Sequence, residues 1–203
     1  MSVLQALTAN GGEPVLPGAE LWFCLQWLAG DEADALFLQV RDGIDWETHR
    51  IRLFGRQVDS PRLSSWIGDE GAAYTYSGAR FDPRPWPAAL KGIRTRLEGE
   101  AGAQFNSVLA NRYRTGADYM GWHSDNESAL GARPVIASLS LGATRRFVLK
   151  HRLRPELKLE LALPHGSLLL MRGQTQTHYR HALPRTTRPV GERINLTFRQ
   201  IRS

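Results

Sequence analysis

The chain has 203 residues, 42% of them apolar, enough to bury roughly 70% of its extended surface in one folded domain. Its net charge is +6, 23 of its 26 basic residues are arginine, and Cys24 is its one cysteine, which excludes a disulfide framework and a cysteine-based zinc site. No apolar run approaches the ~20 residues of a membrane-spanning helix, and MSVLQALTANGGEPVLPG has no basic region followed by a long apolar stretch, so no signal peptide and no membrane are expected, and a monomeric cytoplasmic protein is the starting expectation.

Residues 1–18 are punctuated by Gly and Pro and are expected to be irregular. In LWFCLQWLAG, Cys24 reads as a core residue. GDEADALFLQV predicts a short helix with Asp31 as its N-cap and Leu36, Phe37 and Val40 facing one way. RIRLFGRQVDSPR alternates at Ile51 and Leu53 and then meets Phe54-Gly55, as a strand entering a hairpin does. WPAALKGIRTRLEG sets Leu90, Ile93 and Leu97 at helical spacing, with Pro87 near the start, where proline is tolerated.

Beyond this helix the pattern becomes strand-like. ASLSLG alternates, and ELKLELAL places Leu157, Leu159, Leu161 and Leu163 on one face. GSLLLMRG is an apolar run between glycines, the pattern of a strand buried on both faces, and RINLTFRQI alternates again. A few helices and a hairpin followed by many short strands predict an α+β fold, a sandwich or jelly roll with helices packed on one side. A doubly wound α/β fold is disfavoured because helices do not alternate with the late strands. No glycine-rich loop feeds a helix, so there is no nucleotide-binding signature.

The arginine excess has two readings. A guanidinium grips phosphate through two parallel hydrogen bonds, which makes nucleic acid a candidate partner. A general preference for arginine over lysine would give the same charge without any partner. The last strand is more specific. Arg193, Asn195, Thr197 and Arg199 share one face of RINLTFR and Ile194, Leu196 and Phe198 the other. Facing solvent, the polar row would be ordinary. Inside a barrel mouth it is a row of donors suited to a small dicarboxylate.

His123 and Asp125 in YMGWHSDNES lie one residue apart, so at a strand end both side chains can reach one ion. THYRHALP offers His178 or His181 as a third ligand. Two histidines and a carboxylate make the facial triad of non-haem Fe(II) oxygenases, which leaves positions open. Zinc can use the same ligands to activate water. The arginine-lined strand tilts the choice towards an oxygenase, since a zinc hydrolase has no need of a dicarboxylate.

Residues 45–202 resemble the AlkB-type Fe(II)/2-oxoglutarate dioxygenases that repair alkylated nucleic acids, closest to the subgroup acting on double-stranded DNA. The resemblance is carried, in order, by PRLSSWIGD, YTYSG, NRYRTGADYMGWHSDNE, PVIASLSLGATRRFVLKH, GSLLLMRGQTQTHYRHALP and RINLTFRQI. It implies a double-stranded β-helix (jelly roll) with an N-terminal hairpin lid, in a single dioxygenase domain over 1–203 whose first 44 residues form an edge segment. It assigns iron to His123, Asp125 and His181, leaving His178 as a neighbour, and 2-oxoglutarate to Asn111, Tyr113, Arg193, Asn195, Thr197 and Arg199.

The implied reaction is oxidative demethylation of N-alkyl lesions such as 1-methyladenine and 3-methylcytosine in duplex DNA. Fe(II), 2-oxoglutarate and O2 support an iron-oxo hydroxylation that releases formaldehyde. For the substrate, the resemblance implies Tyr74 and Tyr76 stacking on the damaged base and Glu127 near it. Phe54 would fill the gap left by the flipped base, and Arg62 would contact a phosphate or the flipped strand. Lys150, His151, Arg152 and Arg154 form a basic loop suited to a DNA backbone. Two alternatives stand beside this reading. One is the same chemistry on RNA, protein or a small molecule; the other is a jelly-roll binding module without catalysis.

Overall fold

The computed structural model describes residues 3–9, 12–53, 56–76 and 79–202, with the backbone alone over 50–53, 56–57, 74–76 and 79–81. The N-terminal segment forms β1 (Gln5–Ala6) and β2 (Glu20–Cys24), then helix α1 (Gly30–Gly43). Ala33, Leu36 and Val40 of α1 are buried at helical spacing. Asp31 does not cap this helix. The cap position is Ala29, which makes no side-chain cap bond, and Asp31 lies with Glu32 in the first turn. A carboxylate there still meets the positive end of the helix dipole.

Next come β3 (Arg50–Leu53), β4 (Arg56–Asp59), β5 (Leu63–Gly68), β6 (Tyr74–Tyr76) and β7 (Ala79–Phe81). β3 pairs with β4 and β6 with β7, each as an antiparallel two-stranded ribbon. Helix α2 (Ala88–Ala101) starts after Pro87 and buries Leu90, Ile93 and Leu97 as the spacing predicts. It ends at Gly102, whose φ of 57° is the left-handed conformation glycine adopts without steric cost.

The rest of the chain is β8 (Ser107–Tyr113), β9 (Met120–His123), β10 (Ile136–Gly142), β11 (Arg145–His151), β12 (Lys158–Leu163), β13 (Leu168–Arg172), the single-turn helix α3 (Thr175–His178), β14 (Tyr179–Leu183) and β15 (Arg193–Arg199). From β8 to β15 the chain passes back and forth between two antiparallel sheets, with β11 and β12 forming a hairpin within the smaller one. The larger runs β1-β2-β13-β10-β15-β8-β5 and the smaller β12-β11-β14-β9. This alternation is that of a double-stranded β-helix.

Both helices cover the outer face of the larger sheet, where Leu36, Val40, Leu90 and Leu97 pack with Leu139, Leu141, Leu168, Ile194, Leu196 and Phe198. The apolar face of RINLTFR therefore points to the helices, and its polar face points between the sheets. A second core shares that space, with Phe147, Leu149, Leu163, Leu169, Met171 and Tyr179, of which Phe147 and Met171 border the polar groups. β13 is buried on both faces, as its apolar run predicts. β2 lies within the larger sheet, so the N-terminal segment forms part of this layer. Among the described residues no helix is long and apolar enough to cross a membrane.

Candidate metal centre and the pocket beside it

His123 reaches the space between the sheets through an irregularity. β9 pairs with β14 as His181↔His123 and Leu183↔Met120, so the register shifts between the two pairs. Three steps along β9 would put Met120 and His123 on opposite faces of a regular strand. The bulge takes up one residue, and both side chains line the same pocket. Trp122 is left on the outer face, 43% exposed, with the Lys150 ammonium 4.9 Å from its ring centre.

His123, Asp125 and His181 each present a ligand atom, and these atoms lie within 4.8 Å of one another. His123 Nδ1 is 2.8 Å from the Gly121 carbonyl, which makes Nδ1 the protonated nitrogen and leaves Nε2 as the free ligand. The His123 and His181 rings meet edge to face at 4.2 Å. Asp125 Oδ1 accepts a hydrogen bond from Arg199 at 3.1 Å, and both side chains are almost wholly buried.

The charge states suit a cation. Burial pushes the His181 imidazole down to about 3, with further lowering by His123 and Arg199 against the pull of Asp125. Burial likewise lowers His123. Both rings are therefore neutral near pH 7, as metal ligation requires. Burial pushes the Asp125 carboxyl up, but the charge and hydrogen bond of the Arg199 guanidinium lead the opposing effects, which hold the group below the usual carboxylate value. Two neutral imidazoles and one carboxylate on one side of a point fit Fe(II) with open positions.

The polar face of β15 lines the same pocket. Asn111, Tyr113, Ser138, Arg193, Asn195, Thr197 and Arg199 face Met120, Phe147, Met171 and Leu183 across it. Arg193 is 1% exposed and donates to Ser140 Oγ at 3.0 Å. Its Nε and its second terminal nitrogen are buried without a hydrogen-bond partner among the described residues. Burial lowers its pKa to about 10, with Tyr113 opposing and Arg145 adding to the shift, so it stays charged near pH 7. A buried cation with unmade hydrogen bonds is costly, and a carboxylate in the pocket removes that cost. The donor set thus fits the acidic cosubstrate of the facial-triad oxygenases. Arg193 and Arg145 flank the Tyr113 ring at 5.4 and 5.9 Å, which fixes the plane of that ring.

Not every predicted residue stands equally near. Asn195 spends both amide N–H groups on Ser138 Oγ and the Leu139 carbonyl, and its oxygen accepts from Thr197. Arg62 is buried, with Nε donating to Asn111 Oδ1 at 2.7 Å. It stands beside the pocket rather than on an outer surface. Glu127 is half-buried; its Oε2 has no hydrogen-bond partner among the described residues, and it does not line the pocket. Tyr74 and Tyr76 lie on β6, where the backbone alone is described, and Phe54 lies outside the described residues. His178 is not in the ligand group. It ends α3 and packs on Gly18, where an added Cβ would come within 2.8 Å of its ring.

Two residues of the site have roles that the sequence did not show. Gln176 is 1% exposed, and its Oε1 accepts the Asp125 backbone N–H at 3.0 Å. Ser124 is more than a spacer, since its hydroxyl donates to the Tyr179 carbonyl at 2.6 Å and accepts from Arg152 at 2.8 Å. Nothing in GQTQTHYRH or HSD marks these bonds, because each partner comes from a different strand or turn.

Comparison with known proteins agrees with this geometry. The model of the 2OG-Fe(II) oxygenase superfamily matches residues 21–199. The DNA oxidative demethylase ALKBH2 of Homo sapiens is 39% identical over 180 residues, covering 84% of this chain and 69% of that protein. The human alpha-ketoglutarate-dependent dioxygenase alkB homolog 3 is 37% identical over 179 residues, covering 84% and 62%. The fold is shared with OsALKBH1 at a TM-score of 0.64 and 16% identity, covering 97% of this chain and 99% of that one. It is also shared with a Pseudomonas putida prolyl-4-hydroxylase at 0.60 and 16%, covering 90% and 92%.

Proposed function

This chain belongs to the 2OG-Fe(II) oxygenase superfamily, and we propose that it removes N-alkyl groups oxidatively from DNA bases, duplex DNA being its preferred substrate. The observation that carries the reading is the His123, Asp125 and His181 group sharing one pocket with the unpartnered N–H groups of Arg193. Relatives covering 84% of the chain are DNA oxidative demethylases. The surplus of 26 basic over 20 acidic residues suits a polyanion.

Iron(II), 2-oxoglutarate and dioxygen together supply an oxidant strong enough to attack an unactivated C–H bond. The protein's residues do the rest. His123 Nε2, Asp125 and His181 would hold the iron, and Arg199 keeps Asp125 ionised and fixed in direction. Arg193 and Tyr113 would hold the far carboxylate of the cosubstrate. Arg62 occupies Asn111 Oδ1, so the Asn111 amide nitrogen is the end turned to a ligand oxygen. Met120, Phe147 and Leu183 form an apolar wall that limits water. Hydroxylation of an N-methyl group on the base gives a product that sheds formaldehyde and restores the base.

The finer roles rest on position. Glu127 lies two residues beyond Asp125 and has an unpartnered buried oxygen, suited to the exocyclic amine of a base. Tyr74 and Tyr76 lie on β6 of the β6–β7 ribbon, and Phe54 falls in the sequence between Leu53 and Arg56. The test is removal of 1-methyladenine and 3-methylcytosine from matched single- and double-stranded oligonucleotides, with and without 2-oxoglutarate. Formaldehyde release that needs the cosubstrate is expected, and is expected to be faster on duplex. Phe54→Ala should lower the duplex rate more than the single-strand rate; an equal loss on both refutes the role of Phe54. Turnover of 2-oxoglutarate without base repair would point to a different substrate.

A further inference from the structure

Ser124 and Arg152 occupy a junction that the reaction as described does not use. β9 and β14 carry two of the metal ligands, His123 and His181, and Asp125 follows β9, yet the pairing of the two strands is short and broken by a bulge. Across that weak seam Ser124 makes a side-chain stitch, its hydroxyl donating to the Tyr179 carbonyl at 2.6 Å. Tyr179 is the first residue of β14, two before His181. The stitch thus sets the distance between the loop holding His123 and Asp125 and the strand holding His181. Arg152 completes the bonding of Ser124 by donating from one terminal nitrogen at 2.8 Å.

Arg152 also faces outward. The residue is exposed, and its other guanidinium N–H groups make no hydrogen bond or ion pair among the described residues. The turn that carries it is built rather than loose. The buried His151 accepts the backbone N–H groups of Leu153 and Arg154 through Nδ1, both at 3.1 Å, and Arg152 N–H bonds the His178 carbonyl at 2.8 Å. The turn presents Arg152, Arg154 and the 86% exposed Leu153 to solvent, against the single acid Glu156.

We propose that Ser124 and Arg152 form a relay that couples a phosphate bound at this turn to the geometry of the iron-binding loop. This inference rests on the DNA reading above. A phosphate oxygen pair matches the free edge of the guanidinium. Once clamped there, the long Arg152 side chain loses the freedom that competes with its bond to Ser124. The stitch to Tyr179 is then held, and the three metal ligands are held together. Ser124 and Arg152 are positioning residues in this scheme, since neither touches the metal. By linkage, DNA must tighten metal binding by the same factor as metal tightens DNA binding.

The experiment measures Co(II) affinity by chelator competition, without oxygen, in the presence and absence of an unmodified duplex oligonucleotide. Co(II) takes the same nitrogen and oxygen ligands as Fe(II). For the unaltered protein the duplex is expected to raise Co(II) affinity by about five-fold, the lower end of coupling between protein sites. Co(II) should raise duplex affinity equally. Ser124→Ala and Arg152→Gln should abolish the gain while Ser124→Thr, which keeps the hydroxyl, restores it. Ser124→Ala should still bind duplex. A gain that survives in Ser124→Ala, or duplex binding by the unaltered protein with no gain at all, overturns the relay alone. Failure of the unaltered protein to bind duplex at low salt overturns the DNA reading and the relay with it.

Discussion

In the larger sheet β15 delivers Arg193, Asn195, Thr197 and Arg199 to the pocket by plain alternation over seven paired residues. In the smaller sheet β9 is four residues long and delivers Met120 and His123 across a break in register. The two sheets therefore supply different things. The regular side supplies a rigid row of donors whose spacing is set by the strand repeat of about 3.3 Å per residue. The irregular side supplies two metal ligands that need bonds from outside the ladder, from Gly121, Gln176, Ser124 and Arg199. A ligand that must point at one atom within a few tenths of an ångström is held by such bonds more than by its strand.

Breaking the irregular side should have the largest effect. His123→Ala and Asp125→Ala should abolish demethylation, with metal affinity down by more than about 100-fold, beyond the loss seen when a supporting group is removed. Asp125→Ala also takes from Arg199 its buried carboxylate partner, so Asp125→Asn, which keeps the shape, separates loss of metal from loss of fold. Chelator competition and circular dichroism read the two. Full activity in either alanine variant with iron supplied would remove these residues from the metal site.

Breaking the regular side should raise a requirement rather than abolish the reaction. Arg193→Ala should increase the 2-oxoglutarate concentration at half-maximal rate by about 10- to 100-fold, the worth of a hydrogen bond to a charged group, with a smaller effect at saturation. Because two of its N–H-bearing nitrogens are unpartnered in the free protein, removing this arginine should leave the free protein as stable as before or more so. A clear fall in urea midpoint would contradict that. An unchanged cosubstrate titration would place the anchor elsewhere.

Acid should sharpen the contrast with the smallest change. His181 is held at about 3 in the folded chain against roughly 6.5 when unfolded. Between these values the unfolded chain binds the extra proton, so stability falls as pH falls. The contribution is complete above about pH 6.5 and is lost progressively towards pH 3. From pH 7 to 5 the metal-free protein should lose on the order of 1 to 2 kcal/mol from this group, with His123 acting in the same direction. His181→Asn should flatten that slope in denaturation curves run at each pH. An unchanged slope would mean that His181 is already solvated.

Legibility in the sequence follows the same division. The helix around Leu90, Ile93 and Leu97, the doubly buried β13 and the two faces of RINLTFR were readable because periodicity of 3.6 or 2 is a local property. The helix start at Asp31 was misread because a capping residue is also a common first-turn residue, and the backbone places Ala29 at the cap. In the site, the spacing of His123 and Asp125 was legible, and the choice of His181 over His178 came through resemblance. The structure assembles His181 because it faces His123 across β14 and β9, whereas His178 ends the preceding helical turn and packs on Gly18.

By itself the sequence determined which residues could do chemistry and which faces they share, since side-chain type and strand alternation do not depend on distant neighbours. Only the tertiary structure decided that a bulge turns Met120 and His123 the same way and that Arg62 is spent on Asn111. It also decided that Gln176, Ser124 and Arg152 close around the ligand loop. The physical reason is that the register shift depends on pairing with a distant strand and that these bonds join segments 28 to 51 residues apart, where a buried donor is satisfied by whatever acceptor the packing brings to it.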